Sequence, residues 1–164
     1  MFKPLQIADC ATAVSILDPA IDWDKMIAES GKTKDQLMIE ARAEAENALS
    51  GSVAKLAVKT GANLTRFTIG VIPSDEMTRI VDETSPNAGR SRPSERFWRS
   101  FLASVRNIEG FEPAPKRGRM VNGVEYCDTE WLKSTFIKGL RVVACEIGLY
   151  AWLWNQLTEA EIKN

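Results

Sequence analysis

Pro93-Ser94-Glu95-Arg96-Phe97-Trp98-Arg99-Ser100-Phe101-Leu102-Ala103-Ser104-Val105-Arg106-Asn107-Ile108-Glu109-Gly110 carries a strong periodic signal. At 100° per residue, Phe97, Trp98, Phe101, Leu102, Val105 and Ile108 fall within an arc of about 140°, and Arg96, Arg99 and Arg106 fall opposite. The pattern predicts an amphipathic helix over 93–109, opened by proline in its first turn and stopped by Gly110. A second apolar stretch lies downstream. Asp128 caps Thr129-Glu130-Trp131-Leu132, and the pattern runs on to Leu157, with a break expected near Gly139. Between Val142 and Trp154 the single formal charge is Glu146. The apolar residues there face almost every direction, so a helix over 129–157 is expected to be surrounded by protein, with Leu140 and Val143 in the core. Arg141, Glu146, Asn155 and Gln156 cut its uncharged run to about eight residues, against the roughly 18–20 that a membrane span needs, so no membrane partner is expected.

Working outward, Leu64-Thr65-Arg66-Phe67-Thr68-Ile69-Gly70-Val71-Ile72 is rich in β-branched and aromatic residues and stops at Pro73, which predicts a strand over 64–72. Ser74 then caps a short helix with Asp75 and Glu76 in its first turn, and 84–94 reads as a loop. Asn122-Gly123 between two short β-like runs predicts a hairpin over 118–127. Near the start, Asp18-Pro19 opens a helix over 19–30 that Gly31 stops. Thr33 with Gln36 has capping-box spacing and opens another that Gly51 ends. Thr158 with Glu161 is read as a last capping box. The expected fold is α+β and predominantly α-helical. A small antiparallel β element, strand 64–72 with hairpin 118–127, packs with helices 93–109 and 129–157. An N-terminal helical segment over 1–60, containing a helical pair, joins the main 64–164 unit through Gly61-Ala62-Asn63.

Composition narrows the chemistry. In 164 residues, 45% are hydrophobic and 26% charged, the proportions of one ordinary globular domain. There is no histidine, which removes the commonest general base, every Ser-His-Asp or Cys-His arrangement and mixed His/Cys zinc sites. Cys10, Cys127 and Cys145 are odd in number and lack CxxC spacing, so neither a disulfide framework nor a four-ligand zinc site follows and a reducing cytoplasm is expected. The glycine-rich phosphate loops, the nucleophile elbow and the EF-hand pattern are all missing. Acid pairs such as Asp22/Asp24 and Asp75/Glu76 sit in helix first turns, where the dipole accounts for them. A non-enzyme is expected, with no catalytic residue, cofactor or metal.

Two surfaces are candidates for binding. Residues 1–50 carry five Lys/Arg against nine Asp/Glu, whereas 87–119 carry eight against three, so the chain is electrically bipolar. The basic block Arg90, Arg92, Arg96, Arg99, Arg106, Lys116, Arg117 and Arg119 has two readings. One is a solvated face or a docking patch for acidic segments. The other is phosphate contact, weakened because Phe97 and Trp98 belong to the apolar arc and are not free to stack on bases. Tyr150, Trp152, Trp154 and Leu157 are the second candidate, either core or a partner interface, since large aromatics anchor such contacts.

Phe67-Thr68-Ile69-Gly70-Val71-Ile72-Pro73 with the acidic helix after it, Asn107-Ile108-Glu109-Gly110, Asp128-Thr129-Glu130-Trp131-Leu132, and the ending from Glu146-Ile147-Gly148 through Asn155-Gln156-Leu157-Thr158-Glu159-Ala160-Glu161-Ile162-Lys163-Asn164 together resemble the tail assembly chaperones of tailed bacteriophages. The resemblance covers about residues 64–164 and is one of order and cadence. It implies a non-enzymatic helper in the host cytoplasm that shields the long tape measure protein, or another tail protein, while the tail tube polymerises, with a homo-oligomer among its expected states. Two alternatives accompany it. One is a minor structural virion protein of neck, baseplate or head. The other is a nucleic-acid-binding accessory protein using the arginine face.

Overall fold

The computed structural model describes residues 9–45, 51–85 and 93–163, with the side chains of the last helix described as far as Gln156. Along the described chain run β1 (Cys10–Ala13), α1 (Trp23–Ser30), α2 (Lys34–Ala45), α3 (Ser52–Lys59), β2 (Arg66–Gly70), α4 (Ser74–Thr84), α5 (Pro93–Ser104), β3 (Val105–Glu109), β4 (Arg117–Val121), β5 (Val124–Cys127), α6 (Thr129–Phe136) and α7 (Arg141–Lys163). The fold is helix-dominated α+β.

One antiparallel sheet has the order β1-β2-β3, and β4-β5 forms a separate two-stranded hairpin. The central strand is β2, whose Phe67 and Ile69 are buried while Arg66 is exposed, the alternation of a strand covered on one face. Ala13 and Ile108 flank Phe67, and Ala11 and Val105 flank Ile69. The strand over 64–72 is therefore shorter than expected, and its partners are β1 and β3 rather than the 118–127 hairpin. Leu64 and Ile72, at its ends, enter two smaller clusters instead.

The expected helix over 93–109 is a helix followed directly by a strand. Val105 and Ile108 are three residues apart, a helical spacing, and both are buried. They reach one face of a strand because β3 is bulged. Thr68 pairs with Asn107 and Ile69 with Val105, which leaves Arg106 as the extra residue. A period of two plus one inserted residue reproduces the i, i+3 spacing of a helix. The 129–157 segment divides at the expected break. Gly139, at φ 80°, breaks it between α6 and α7, and α7 continues through 158–161, so no cap lies there.

The main core joins the sheet's inner face to Trp98, Phe101, Leu132, Phe136, Ile147 and their neighbours. Its centre is aromatic: Phe101 and Phe136 meet edge to face with centroids 4.9 Å apart, and Phe67 lies 6.2 and 6.1 Å from them. Leu140 and Val143, expected in the core, are only partly buried against it. α5 and α7 cross so closely that a Cβ on Gly148 would overlap the Phe97 carbonyl. A second cluster, Ile72, Met77, Ile80, Ala103 and Trp152, fixes α4 to this pair.

Among its described residues the N-terminal part has three helices, with their own small core of Ile21, Met26, Leu37, Val53, Ala57 and Leu64. The first begins at Trp23, later than residue 19, because Asp22 takes the cap and accepts the Lys25 N–H at 3.2 Å. The Thr33/Gln36 capping box forms reciprocally, at 3.2 and 2.9 Å. Gly51, expected to end a helix, instead precedes α3, and residues 46–50 lie outside the described ones. This part is tied to the rest at several points. β1 is an edge of the main sheet, Thr65 N–H donates to Asp18 at 2.8 Å, and Glu146 of α7 accepts from Ser15 Oγ and from Ile16 N–H.

Candidate functional site

Of the eight basic residues singled out by sequence, Arg90 and Arg92 lie outside the described residues. The others do not form one free cationic face. Arg96 donates to Thr84 Oγ1 at 2.9 Å and lies over the Trp152 ring at 5.3 Å. Arg99 pairs with Glu83 and, at 3.4 Å, with Glu95, and these carboxylates hold its guanidinium above its ordinary pKa. Arg106, the bulged residue, lies over Tyr126 at 5.8 Å and faces Asp9 at 3.8 Å. Arg117 reaches back from the hairpin to the Arg106 carbonyl at 3.2 Å, and the Lys116 carbonyl accepts the Asp128 N–H at 2.8 Å. Arg119 donates to the Ala103 carbonyl at 2.9 Å and lies over Tyr126 at 5.1 Å. Most of these cations stitch elements together, using a guanidinium's planar donors on carbonyls and its flat face on rings.

Tyr126 completes the hairpin's attachment. Its hydroxyl donates to the Val71 carbonyl at 2.9 Å, and burial raises its pKa. The ring occupies the space over Gly70, where a Cβ would strike both the Tyr126 hydroxyl and Arg106 Cδ.

The aromatic C-terminal candidates turn mostly inward. Tyr150 is buried and its hydroxyl donates to Glu146 at 2.7 Å, while burial, followed by the Glu146 charge, pushes its pKa strongly up. Trp152 is buried with Ile72, Met77, Ile80 and Ala103. Trp154 packs half-buried against the main core, and Leu157 lies in α7 past its last described side chain. Tyr150 and Trp152 are thus core residues of this chain rather than an exposed interface. The large aromatics of α7 are covered chiefly by α5, with α4 and Ile72 closing over Trp152.

Among the described residues, two exposed features bear on binding. One is an open groove of about 460 Å³ walled by α4, α5, β4 and α6. Its floor is Trp98, Leu102 and Ala103, and its cations are Arg79, Arg99, Arg119 and Lys133, with Glu76, Glu83 and Glu95 among them. Burial lowers the pKa of Arg119, and among the described residues its donors meet carbonyls rather than a carboxylate. The other feature is an apolar corner where α6 turns into α7. Ile137 is 49% exposed and Val142 69% exposed. Leu17, 43% exposed, follows the Ile16 amide that Glu146 holds, and Val142 lies one helical turn before Glu146 on the same face of α7.

Neither feature offers convergent acid–base geometry, and among the described residues no group of His, Cys, Asp or Glu could hold a metal ion. No described helix is long and apolar enough to cross a membrane. No family model, curated protein or solved structure matches the chain. Sequence reasoning missed both the groove and the corner. The groove draws one wall from each of four elements. The corner's residues, Ile137 and Val142, lie on either side of the break expected near Gly139, and sequence alone does not give their exposure.

Proposed function

We propose that this chain is a non-enzymatic protein-binding helper of phage morphogenesis, a tail assembly chaperone that shields an apolar segment of the tape measure protein. The observation that carries the protein-binding part is the apolar corner. Exposed single hydrophobics are ordinary, but Leu17 and Val142 lie on segments that Glu146 ties together, and Ile137 lies across the short turn at Gly139 from Val142. An amphipathic client helix laid against that corner buries apolar area on both sides, at about 25 cal/mol per Å². The identity of the client comes from the sequence resemblance.

The nucleic-acid reading loses support from the arginines. Arg96, Arg99, Arg106, Arg117 and Arg119 are engaged with hydroxyls, carboxylates, carbonyls and rings of the chain itself, and Trp98 is buried beneath Arg141. The test is a pull-down of the tagged protein from its native lysate, with and without nuclease, beside an Ile137→Asp/Val142→Asp variant. A long helical tail protein recovered with the wild-type chain, retained after nuclease and lost with the variant, is the expected result. Partners released by nuclease, or capture indifferent to both substitutions, would overturn the proposal. Co-purification with the finished particle would instead favour the structural virion protein.

A further inference from the structure

We propose that the groove between α4, α5, β4 and α6 is a second contact for a protein partner, one that accepts a carboxylate side chain flanked by an apolar residue on an amphipathic segment. This rests on the protein-binding reading above and adds the chemistry of the partner. At about 460 Å³ the groove is within the size range of binding clefts, about 300–1,000 Å³. Arg119 contributes a half-buried guanidinium that is satisfied by the Ala103 and Cys127 carbonyls and lacks a carboxylate partner among the described residues. Lys133 projects from α6 with a single, distant partner on its own helix, Glu130 at 3.5 Å. Thr129, in the first turn of α6, adds a hydroxyl beside them. Two cations and a hydroxyl above a floor of Trp98 and Leu102 match a carboxylate with an aliphatic neighbour.

The same lining discriminates between anions. Glu76, Glu83 and Glu95 line the groove as well, which sets like charge against a phosphodiester backbone while leaving room for one carboxylate at Arg119. Trp98 is 6% exposed, with Phe101 stacked at 6.1 Å and Arg141 over its ring at 5.0 Å, so it cannot stack on a base. An apolar floor gives no advantage to a free inorganic anion.

The experiment is fluorescence anisotropy with the full chain and a short labelled helical peptide carrying Glu and Leu one turn apart, beside its Glu→Gln counterpart. The acidic peptide is expected to bind roughly tenfold more tightly than the Gln peptide at low salt. Lys133→Glu, at an exposed site, should abolish that difference without altering the circular dichroism spectrum. Arg119→Gln should do the same provided its hairpin stays folded, and Lys133→Glu keeps the proposal testable if it does not. Equal binding of the two peptides overturns the assignment. So does preferential binding of a dT oligonucleotide, or full displacement of the peptide by a few millimolar inorganic phosphate. If peptide discrimination fails while lysate capture through Ile137 and Val142 persists, the groove alone is wrong. If lysate capture fails as well, the protein-binding reading fails with it.

Discussion

Gly148 has the most demanding position in the core. With no Cβ, it lets α7 lie directly on the backbone of α5 at Phe97, so Gly148→Ala forces the two helices apart. A loss of about 3 kcal/mol is expected, at the upper end of ordinary overpacking, and a denaturant titration measures it. A variant as stable as the wild type would mean that the helices do not cross there. Phe136 sits on the other side of the same core, touching Phe67, Phe101, Phe111 and Trp131, and Phe136→Ala is expected to cost about 3–5 kcal/mol. Cys127 reports burial through pH. Burial pushes its thiol up to about 11, above its unfolded value of about 8.5. The neutral thiol therefore contributes stability that is complete below about pH 8.5 and is lost as pH rises toward the folded value. The thermal midpoint should fall in that alkaline window, and Cys127→Ala should lessen the fall. An unchanged slope would place the effect elsewhere.

The elements that could be read from sequence are those written in local chemistry. The Thr33/Gln36 box and Asp128 cap their helices as expected, and Asn122 and Gly123 turn the hairpin at φ 50° and 81°. What could not be read depends on partners distant in the chain. β1 is a strand because β2 is beside it, and its four small residues carry no pattern of their own. The 105–109 segment mimics a helix because a bulge at Arg106 restores a three-residue spacing. Deleting Arg106 is the direct check. It removes the bulge but leaves Val105 and Ile108 two residues apart on one face of a regular strand, so both are expected to stay in the core and the loss to match that of Arg106→Ala, which gives up the same contacts to Tyr126 and Asp9. A clearly larger loss than in Arg106→Ala would mean that the bulge itself is required. The arginines show the same division. Their helical phase was readable, but their partners Thr84, Glu83 and the Ala103 carbonyl come from other elements or other turns.

Across the whole molecule, an aromatic core shared by the sheet, α5, α6 and α7 leaves two kinds of surface near one end of α6: an apolar corner after it and a groove along it in which Arg119 meets carbonyls rather than a carboxylate. The N-terminal three-helix cluster is held to this body by β1, Asp18 and Glu146, so Leu17 and Val142 keep a defined relation. Glu146→Gln should loosen that relation, because it weakens the acceptance of the Ser15, Ile16 and Tyr150 donors. Faster amide exchange over residues 14–18, with α5 unchanged, is the expected signature. The most direct test of the central claim is photo-crosslinking in the native lysate from a benzophenone side chain placed at Val142, with the exposed Lys55 on α3 as the control position. The account predicts one nuclease-resistant adduct, to a long helical tail protein, from position 142 and none from position 55. No adduct at 142, or the same adducts from both positions, would contradict it.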